Sequence, residues 1–282
     1  MRVLITGSNG QLGSAFRSLG NQEGVDLIFM DRKSLDITSE LLWNAVLEEH
    51  QPNFVINAAA YTAVDNAESD RESAYALNER AVHIASRVTK EKNVRLLQIS
   101  TDYVFNGESN TPYKEEDPTN PKSVYGASKR AGELEVLNFP EHLVVRVAWL
   151  YSPFGKNFMK TMRTLFQTKE QVNVVDDQIG SPTCAMTFAS DLLEFLMKSP
   201  EGGIYHYSQG GEGSWFDFAH HIHAQMSATC KLERVKTGFF QTAATRPAYS
   251  KLDATKFEEV LGRTIPTWQS CYRDCTKELN EK

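Results

Sequence analysis

The stretch that decides the fold runs from residue 1 to residue 13 and reads MRVLITGSNGQLG. Its apolar run predicts a buried strand over Arg2–Thr6, three glycines follow at Gly7, Gly10 and Gly13, and a helical pattern continues over Leu12–Leu19. Glycines between a strand and a helix let the backbone approach a phosphate that rests on the helix N-terminus. The spacing is GxxGxxG, and a tight turn without a ligand is the alternative interpretation. Its place at the start of a strand–helix–strand unit favours a dinucleotide site.

The same alternation continues outward from this stretch. Further strands are predicted at Asp26–Met30, Asn53–Asn57, Val94–Ser100 and Leu143–Ala148. Helical periodicity separates them at Ser39–His50, at Ser69–Lys92 and from Tyr125 to about Asn138. Near-continuous apolar strands between helices are typical of a parallel sheet covered on both faces. The sequence therefore predicts an α/β protein with a Rossmann-type doubly wound parallel sheet.

The rhythm changes after about Tyr151, where segments become shorter and glycine and proline more frequent. Residues 1–150 are predicted to form an NAD(P)-binding Rossmann domain. Residues 151–282 are predicted to form mainly a smaller C-terminal substrate-binding lobe that interleaves with the Rossmann core. In this lobe Ser214 is a plausible N-cap for a helix over Trp215–Met226, and residues 278–282 are expected to be a solvated tail.

Composition excludes several classes of function. The 282 residues carry a formal net charge of −6, with 41% apolar and 23% charged residues, which is ordinary for a globular protein. No run is long enough to cross a bilayer, and no basic cluster predicts nucleic-acid binding. No secretory signal is evident and four cysteines form no disulfide framework, so we expect a cytoplasmic protein. Neither Cys271 and Cys275 nor His220 and His223 have the spacing of a metal site, so no metal ligand is predicted.

Two neighbouring residues at the end of the second strand give conflicting indications about the coenzyme. Asp31 stands where an acidic residue accepts from the adenosine ribose hydroxyls, which favours NAD. Arg32 is placed to hold a 2′-phosphate, which favours NADP, although a solvated surface charge is the alternative. Small residues after the third strand would let a cofactor lie against the backbone. The candidate cofactor-binding residues are Gly7, Asn9, Gly10, Gln11, Leu12, Asp31, Arg32, Asp36, Ile37, Ala58, Ala59, Ala60, Thr62, Tyr125 and Lys129.

A candidate catalytic set follows the fourth strand. Thr101 ends that strand, and Tyr125 and Lys129 lie four apart, which puts them on one face of a helix. A lysine ammonium close to a phenol lowers the pKa of the tyrosine and makes it a usable proton donor near neutral pH. A Tyr-x-x-x-Lys pattern alone also fits an ordinary surface helix, so the interpretation depends on the accompanying motifs.

Taken together, these residues resemble the extended short-chain dehydrogenase/reductase superfamily, with its Ser/Thr–Tyr–Lys triad. Within it the chain resembles the dTDP-4-dehydrorhamnose reductases. The motifs that carry this resemblance are residues 10–13, 57–65, 100–107, 125–126, 149, 155–158, 177–183, 203–206 and 246–250. The resemblance implies NAD(P)H-dependent reduction of dTDP-4-dehydro-6-deoxy-L-mannose to dTDP-L-rhamnose, for cell-surface polysaccharide. It slightly favours NADPH, with NADH as an alternative.

The expected mechanism gives each member of the triad a role. Tyr125 donates a proton to the developing alkoxide, Lys129 holds the nicotinamide ribose, and Thr101 donates a hydrogen bond to the same oxygen. Arg246 is expected to pair with the substrate diphosphate, and Trp149 is either a sugar contact or a core residue. The candidate substrate-binding residues are Asp102, Tyr103, Trp149, Asn157, Gln178 and Arg246.

Several alternatives stay open. Related dehydratases carry an Asp-Glu pair after the triad hydroxyl, whereas this chain has Asp102-Tyr103, which argues against elimination. Two other functions are possible interpretations of the sequence. One is a reductase or epimerase of another nucleotide-linked deoxysugar, and the other is a non-catalytic dinucleotide-binding regulatory subunit. Some relatives form a magnesium-bridged dimer through an acidic residue early in the first helix. Here Ala15, Phe16 and Arg17 stand there, so a magnesium ion and the choice between monomer and homodimer are left undecided.

Overall fold

A six-stranded parallel sheet forms the centre of the protein. The computed structural model describes residues 1–280, with side chains described as far as Lys277, so the predicted tail at 278–282 lies largely outside the described residues. The strands of this sheet are β1 (Arg2–Thr6), β2 (Asp26–Met30), β3 (Phe54–Asn57), β4 (Arg95–Thr101), β5 (Leu143–Val147) and β10 (Gly203–Tyr207). Short strands outside it are β6 (Leu150–Tyr151), β7 (Gln171–Val175), β8 (Ile179–Gly180), β9 (Thr183–Cys184), β11 (Gly213–Ser214) and β12 (Lys231–Val235).

Helices cover both faces of the sheet. They are α1 (Gln11–Ser18), α2 (Glu40–His50), α3 (Val64–Ala67), α4 (Arg71–Tyr75), α5 (Ala81–Glu91), α6 (Val124–Leu137), α7 (Phe158–Thr168), α8 (Ala185–Met197), α9 (Trp215–Gln225), α10 (Thr255–Leu261) and α11 (Trp268–Asn280). One buried cluster includes Val3 and Ile5 with Phe188 of α8, and a second, on the other face, includes Leu4 with Trp43 of α2. Alternate residues of β1 therefore serve different cores, as expected for a doubly wound sheet.

The strand order is β10-β5-β4-β3-β1-β2. The chain runs outward from β1 to β2 and then returns to β3 on the other side of β1. At such a reversal the loops that follow two adjacent strands run in opposite directions. A crevice therefore forms at the carboxyl ends of these strands. The doubly wound α/β fold expected from the sequence is confirmed.

The sheet takes its sixth strand from the second half of the chain. Residues 203–207 pair in parallel with Leu143–Val147, so the main sheet extends past residue 150. The remaining lobe has its own buried cluster, which includes Met159 of α7, Phe218 of α9 and Tyr272 of α11. The division at residue 150 stays a prediction.

The helix predicted over Ser69–Lys92 is interrupted. It begins at Arg71, where the Asp70 side chain accepts from Ser73 N, and ends at Glu91. A π-helical turn occupies Ala76–Arg80 in its middle. Such turns are frequent at functional sites. Here the turn brings the Asn78 carbonyl against α6, where a Cβ on Gly132 would lie 2.0 Å from it.

Candidate active site

A long groove of about 800 Å³ follows the carboxyl ends of the strands. It is lined at one end by Asp31 and Arg32, in the middle by the glycine turn, and at the other end by Thr101, Tyr125 and Lys129. The strand order accounts for its position, because β1 and β3 meet at the point where the chain reverses. All the predicted cofactor-binding residues except Asn9 line this groove.

The glycine turn is packed too closely for side chains. Gly7 has a φ of +64°, and a Cβ on it would lie 2.8 Å from Ala59 N. On Gly13 a Cβ would lie 2.4 Å from Ser8 Cα. Gly10 is the N-cap of helix α1 and has no side chain to cap it, so the N–H groups of the first turn have no side-chain acceptor. The turn fits a dinucleotide pyrophosphate.

Local hydrogen bonds occupy the Asp31 carboxylate. Its Oδ1 accepts from Lys33 N and Ser34 N at 3.0 Å each and from Ser34 Oγ at 3.0 Å, while Oδ2 accepts from Asn9 Nδ2 at 3.2 Å. These bonds lower the pKa of Asp31, with Ser34 as the largest cause. Asn9 thus lies beside the groove and orients Asp31 without lining the cavity. Among the described residues, Arg32 makes no hydrogen bond of its own.

Thr101 and Tyr125 come together at the inner end of the groove. Thr101 Oγ1 donates to Asp102 Oδ1 at 3.0 Å and accepts from Tyr103 N at 3.2 Å. Tyr125 lies in the first turn of α6, which Ser123 caps by accepting from Gly126 N at 3.1 Å. Burial raises the pKa of Tyr125 to about 12; a hydrogen bond with Thr101 opposes the rise and the charge of Asp102 adds to it. The Thr101 hydroxyl and the Tyr125 phenol therefore lie within hydrogen-bonding distance of each other, as is required of two groups that act on the same oxygen.

Lys129 lies one turn further along α6 and is buried. Its Nζ donates to the Ile99 carbonyl at 2.6 Å. Burial lowers the pKa of Lys129 to about 8, and the nearby Glu133 opposes this change. The sequence predicted that Lys129 lowers the pKa of Tyr125. That effect is not seen here, because the ammonium is turned toward β4 and burial dominates at the phenol.

A buried ionic network supports this part of α6. Glu133 is fully buried and accepts from Arg146 Nε and Nη2 at 2.8 Å each, and from Ser100 Oγ at 2.6 Å. Arg130 reaches the same carboxylate at 2.9 Å. Ser100 precedes Thr101 on β4, so the network fixes the helix that carries Tyr125 against the strand that carries Thr101. The side chains that form it were not singled out from the sequence.

A second cavity of about 420 Å³ opens beside the groove. Its walls are mostly apolar, and Arg246 is the one charged residue among those that line it. Tyr103 and Trp215 line both cavities, and the Tyr103 ring lies edge-on to Tyr125 with 5.6 Å between centroids. The two spaces therefore adjoin at Tyr103 and Trp215, and Tyr103 contacts the ring of the candidate proton donor. The full lining is Tyr103, Phe158, Met162, Leu165, Asn173, Val174, Val175, Gln178, Trp215, Thr237, Phe240, Thr242 and Arg246.

Trp149 stands at the junction in a strained conformation. Its φ of +51° is unusual for a bulky side chain. The indole stacks on Trp215 with ring centroids 3.6 Å apart and planes at 7°, and a Cβ on Gly180 would lie 2.7 Å from it. Strained backbone of this kind persists only where its surroundings hold it, and it clusters at functional sites. Trp215, which was not predicted, belongs to the same wall.

Asp102 is buried beside the triad hydroxyl. Burial raises the pKa of its carboxyl to about 6, opposed by the Ser250 and Thr101 hydroxyls. The Ser250 hydroxyl faces this carboxyl, yet neither Ser250 Oγ nor Asp102 Oδ2 reaches hydrogen-bonding geometry with any described side chain. A buried carboxylate oxygen without a partner is costly and is expected to find one in a ligand.

Of the remaining predicted substrate contacts, two line the second cavity and one does not. Gln178 and Arg246 line the second cavity; Gln178 Nε2 donates to Thr237 Oγ1 at 3.1 Å. Asn157 lies outside both cavities. Its oxygen caps α7 at Lys160 N and its Nδ2 donates to Gln11 Oε1 at 2.9 Å, so the structure gives it a local structural role and no place against the predicted substrate.

Comparison with known proteins agrees with this geometry. Residues 1–281 match the family model described as the RmlD substrate binding domain. A dTDP-4-dehydrorhamnose reductase from Aggregatibacter actinomycetemcomitans is 38% identical, covering 97% of both chains. The chain belongs to the dTDP-4-dehydrorhamnose reductase family.

Two further relatives show the range within and around this family. The crystal structure of dTDP-4-dehydrorhamnose reductase from Bacillus anthracis in complex with NADP has a TM-score of 0.94 and 37% identity, covering 98% of this chain and 99% of that one. A probable dTDP-4,6-dihydroxy-2-methyloxan-3-one 4-ketoreductase from Streptomyces antibioticus is 37% identical, covering 99% of this chain and 96% of that protein.

Ala15 is buried in α1, and the side chains described, those of residues 1–277, include no group of three or more His, Cys, Asp or Glu that could hold a metal ion. Over the same span, none of the helices has the length and apolar character needed to cross a membrane. Cys184, Cys230 and Cys271 are free thiols.

Proposed function

We propose that this protein reduces the C4 keto group of dTDP-4-dehydro-6-deoxy-L-mannose with NADPH and forms dTDP-L-rhamnose, a precursor of cell-surface polysaccharide. The observation that carries the proposal is that two cavities adjoin at Tyr103 and Trp215, where the Tyr103 ring contacts Tyr125. One has the length and the glycine turn of a dinucleotide site, and the other is apolar with a single arginine. Thr101 and Tyr125 stand where a keto oxygen in one cavity would face a nicotinamide in the other.

The first cavity fits the coenzyme. The uncapped start of α1 would receive the pyrophosphate, the loop of small residues 58–60 would lie along it, and Lys129 would hold the nicotinamide ribose. When bound, NADPH supplies the hydride. NADPH is favoured over NADH because the Asp31 carboxylate is already engaged by its own turn, which leaves Arg32 to meet a 2′-phosphate.

The second cavity suits the nucleotide part of the substrate. Its apolar end, with Phe158, Met162 and Leu165, offers a surface for a pyrimidine base, and Arg246 offers a cation for the diphosphate. The hexose would then lie against Tyr103 and the Trp149–Trp215 stack, close to Asp102.

The proton chemistry is assigned to the side chains of β4 and α6. Tyr125 would give its proton to the oxygen that becomes the C4 hydroxyl, and Thr101 would hydrogen-bond the same oxygen as charge develops. The pKa of about 12 keeps Tyr125 protonated and able to donate at neutral pH. The Lys129 ammonium, with a pKa of about 8, would favour the phenolate once ligands reorient it. We place the reaction in the cytoplasm, with the enzyme acting as a monomer or homodimer.

The test is NADPH consumption with dTDP-4-dehydro-6-deoxy-L-mannose, for wild type and for Tyr125→Phe. We expect Tyr125→Phe to lose most turnover, on the order of 100-fold or more, with the Kd for NADPH nearly unchanged. Tyr75→Phe is the matched control, because Tyr75 lies on α4 and contacts Arg71 outside both cavities. Wild-type-like kcat in Tyr125→Phe would disprove the assignment.

A second candidate is reduction of a different dTDP-linked deoxyketosugar, favoured by the similarity to the probable Streptomyces antibioticus 4-ketoreductase. Product analysis in the same assay separates the two sugars and also detects epimerisation. Absence of any NADPH consumption at saturating substrate would instead favour a regulatory dinucleotide-binding subunit.

A further inference from the structure

Arg246, which lines the second cavity, forms an ion pair with a residue from a distant part of the chain. Asp65, on the short helix α3, accepts from Arg246 Nη1 at 3.1 Å and from Arg246 Nη2 at 2.7 Å. The two residues are 181 positions apart. Asp65 Oδ1 also accepts from Ala244 N at 3.0 Å, so one carboxylate holds both the guanidinium and the backbone of its segment.

The pattern of these bonds leaves one edge of the guanidinium unused. Arginine has five N–H donors in a flat fork. The Asp65 carboxylate accepts one N–H from Nη1 and one from Nη2. The second N–H of Nη1 is donated to the Ala244 carbonyl at 3.1 Å. Nε–H and the second Nη2–H remain without a partner among the described residues. These two donors are parallel, the arrangement that binds two oxygens of a phosphate side by side.

The backbone around Arg246 is also held in place. A Cβ on Gly107, whose φ is +79°, would lie 2.5 Å from Pro247 Cα. Tyr249 N donates to the Gly107 carbonyl at 3.1 Å, and Ile179 N donates to the Ala248 carbonyl at 2.7 Å. With its backbone fixed, the remaining freedom of Arg246 lies in its long side chain, which Asp65 restrains through two hydrogen bonds and the Ala244 carbonyl through one.

We propose that Asp65 is a positioning residue that presents the free Nε–Nη2 edge of Arg246 to the diphosphate of the nucleotide sugar. This inference rests on the proposed function, since it assumes a diphosphate in the second cavity. Arg246 is the one charged residue in the lining of that cavity, so its orientation decides how the only cationic contact there is made. The pKa of Asp65 is lowered chiefly by the hydrogen bond from Arg246, which keeps the carboxylate ionised across the working pH range.

The alternative is that Arg246 must leave Asp65 in order to reach the ligand. The two possibilities predict opposite changes in diphosphate affinity when Asp65 is removed. If Asp65 positions Arg246, its removal weakens diphosphate binding because a flexible arginine must be ordered on binding. If Asp65 competes with the ligand, its removal strengthens binding.

The experiment measures Kd for dTDP by calorimetry in wild type, Asp65→Asn, Arg246→Ala and the double variant. Loss of a partner that orients a ligand-binding side chain costs about 10- to 100-fold in affinity at metal sites, and we expect a Kd for dTDP about tenfold higher in Asp65→Asn. The Kd for NADPH and the affinity for thymidine, which lacks phosphate, should stay within about twofold. Adding Asp65→Asn to Arg246→Ala should have no further effect, since the residue acts only through Arg246.

Asp26→Asn is the matched control, because Asp26 pairs with Arg2 at the surface, 3.5 Å apart and away from both cavities. In turnover, Asp65→Asn should raise KM for the keto-sugar about tenfold with kcat nearly unchanged, whereas a purely structural role would lower NADPH binding and thermal stability as well. Unchanged or tighter dTDP binding in Asp65→Asn overturns the proposal, as does a wild type that does not bind dTDP. A wild type that binds dTDP with the expected Asp65 dependence but does not reduce the keto-sugar would refute the proposed reaction and leave the positioning role standing.

Discussion

Replacing Gly126 with alanine should impair catalysis far more than folding. A Cβ on Gly126 would lie 2.2 Å from the Tyr103 carbonyl oxygen and 3.1 Å from Pro121 Cβ. An ordinary contact begins at 3.4 Å, so α6 and the turn after Thr101 must move apart by about 1.2 Å. Since Tyr125 precedes Gly126, that movement separates the proposed proton donor from Thr101.

The size of the effect follows from this displacement. A misplacement of about 1 Å at a reacting centre can cost about 100-fold in rate, so we expect kcat to fall by about that factor. Overpacking costs about 1 to 3 kcal/mol in free energy of unfolding, partly offset by about 1 kcal/mol from the higher helix propensity of alanine. The variant should therefore remain folded with a modestly lower stability.

The assay combines kcat for the keto-sugar with urea unfolding and with NADPH binding at the far end of the groove. Gly238→Ala is the control, because a Cβ there meets nothing within 4 Å and the backbone has no positive φ. A Gly126→Ala protein with kcat within threefold of wild type would refute the argument that this close approach sets the geometry of the site.

Three other predictions concern coenzyme choice, pH and the buried network. Arg32→Ala should raise KM for NADPH about tenfold and leave KM for NADH unchanged, whereas Asp31→Ala should disturb both by loosening the turn; steady-state kinetics with each coenzyme checks this. The pKa of Lys129, lowered to about 8 by burial, means that its ammonium is present below that pH and lost above it. kcat/KM for NADPH should therefore fall as pH rises above about 8, and a flat profile to pH 9.5 would contradict the role of Lys129. Glu133→Gln leaves Arg146 buried without its counter-charge and should lower the free energy of unfolding by about 3 to 5 kcal/mol in urea titrations.

Local pattern was sufficient for most of the fold. The apolar strands, the glycine turn and the Tyr125–Lys129 spacing each depend on neighbours within a few residues, and the structure places all of them as expected. The interruption at Ala76–Arg80 escaped prediction because a π turn keeps an ordinary helical composition. The turn packs its Asn78 carbonyl against Gly132, more than fifty residues away in the chain, and such a contact cannot be read from local sequence.

The electrostatics of the site were beyond reach of the sequence. Four-residue spacing correctly put Tyr125 and Lys129 on one helix face, but it did not reveal that the Ile99 carbonyl holds the ammonium and that burial dominates the pKa of the phenol. Asn157 followed a motif and turned out to cap a helix. Burial and partner choice are properties of the packed chain, so they cannot be obtained from spacing.

The sequence by itself thus determined the strand–helix alternation and the places of the glycine turn and of the candidate set Thr101, Tyr125 and Lys129, because these depend on periodicity and short-range geometry. Tertiary structure alone decided that the two cavities adjoin at Tyr103 and Trp215, beside Tyr125, and that Asp65 holds Arg246. The physical reason is that sheet register and helix packing bring together side chains that lie far apart along the chain. Their hydrogen bonds and charges take effect only once water has been excluded around them.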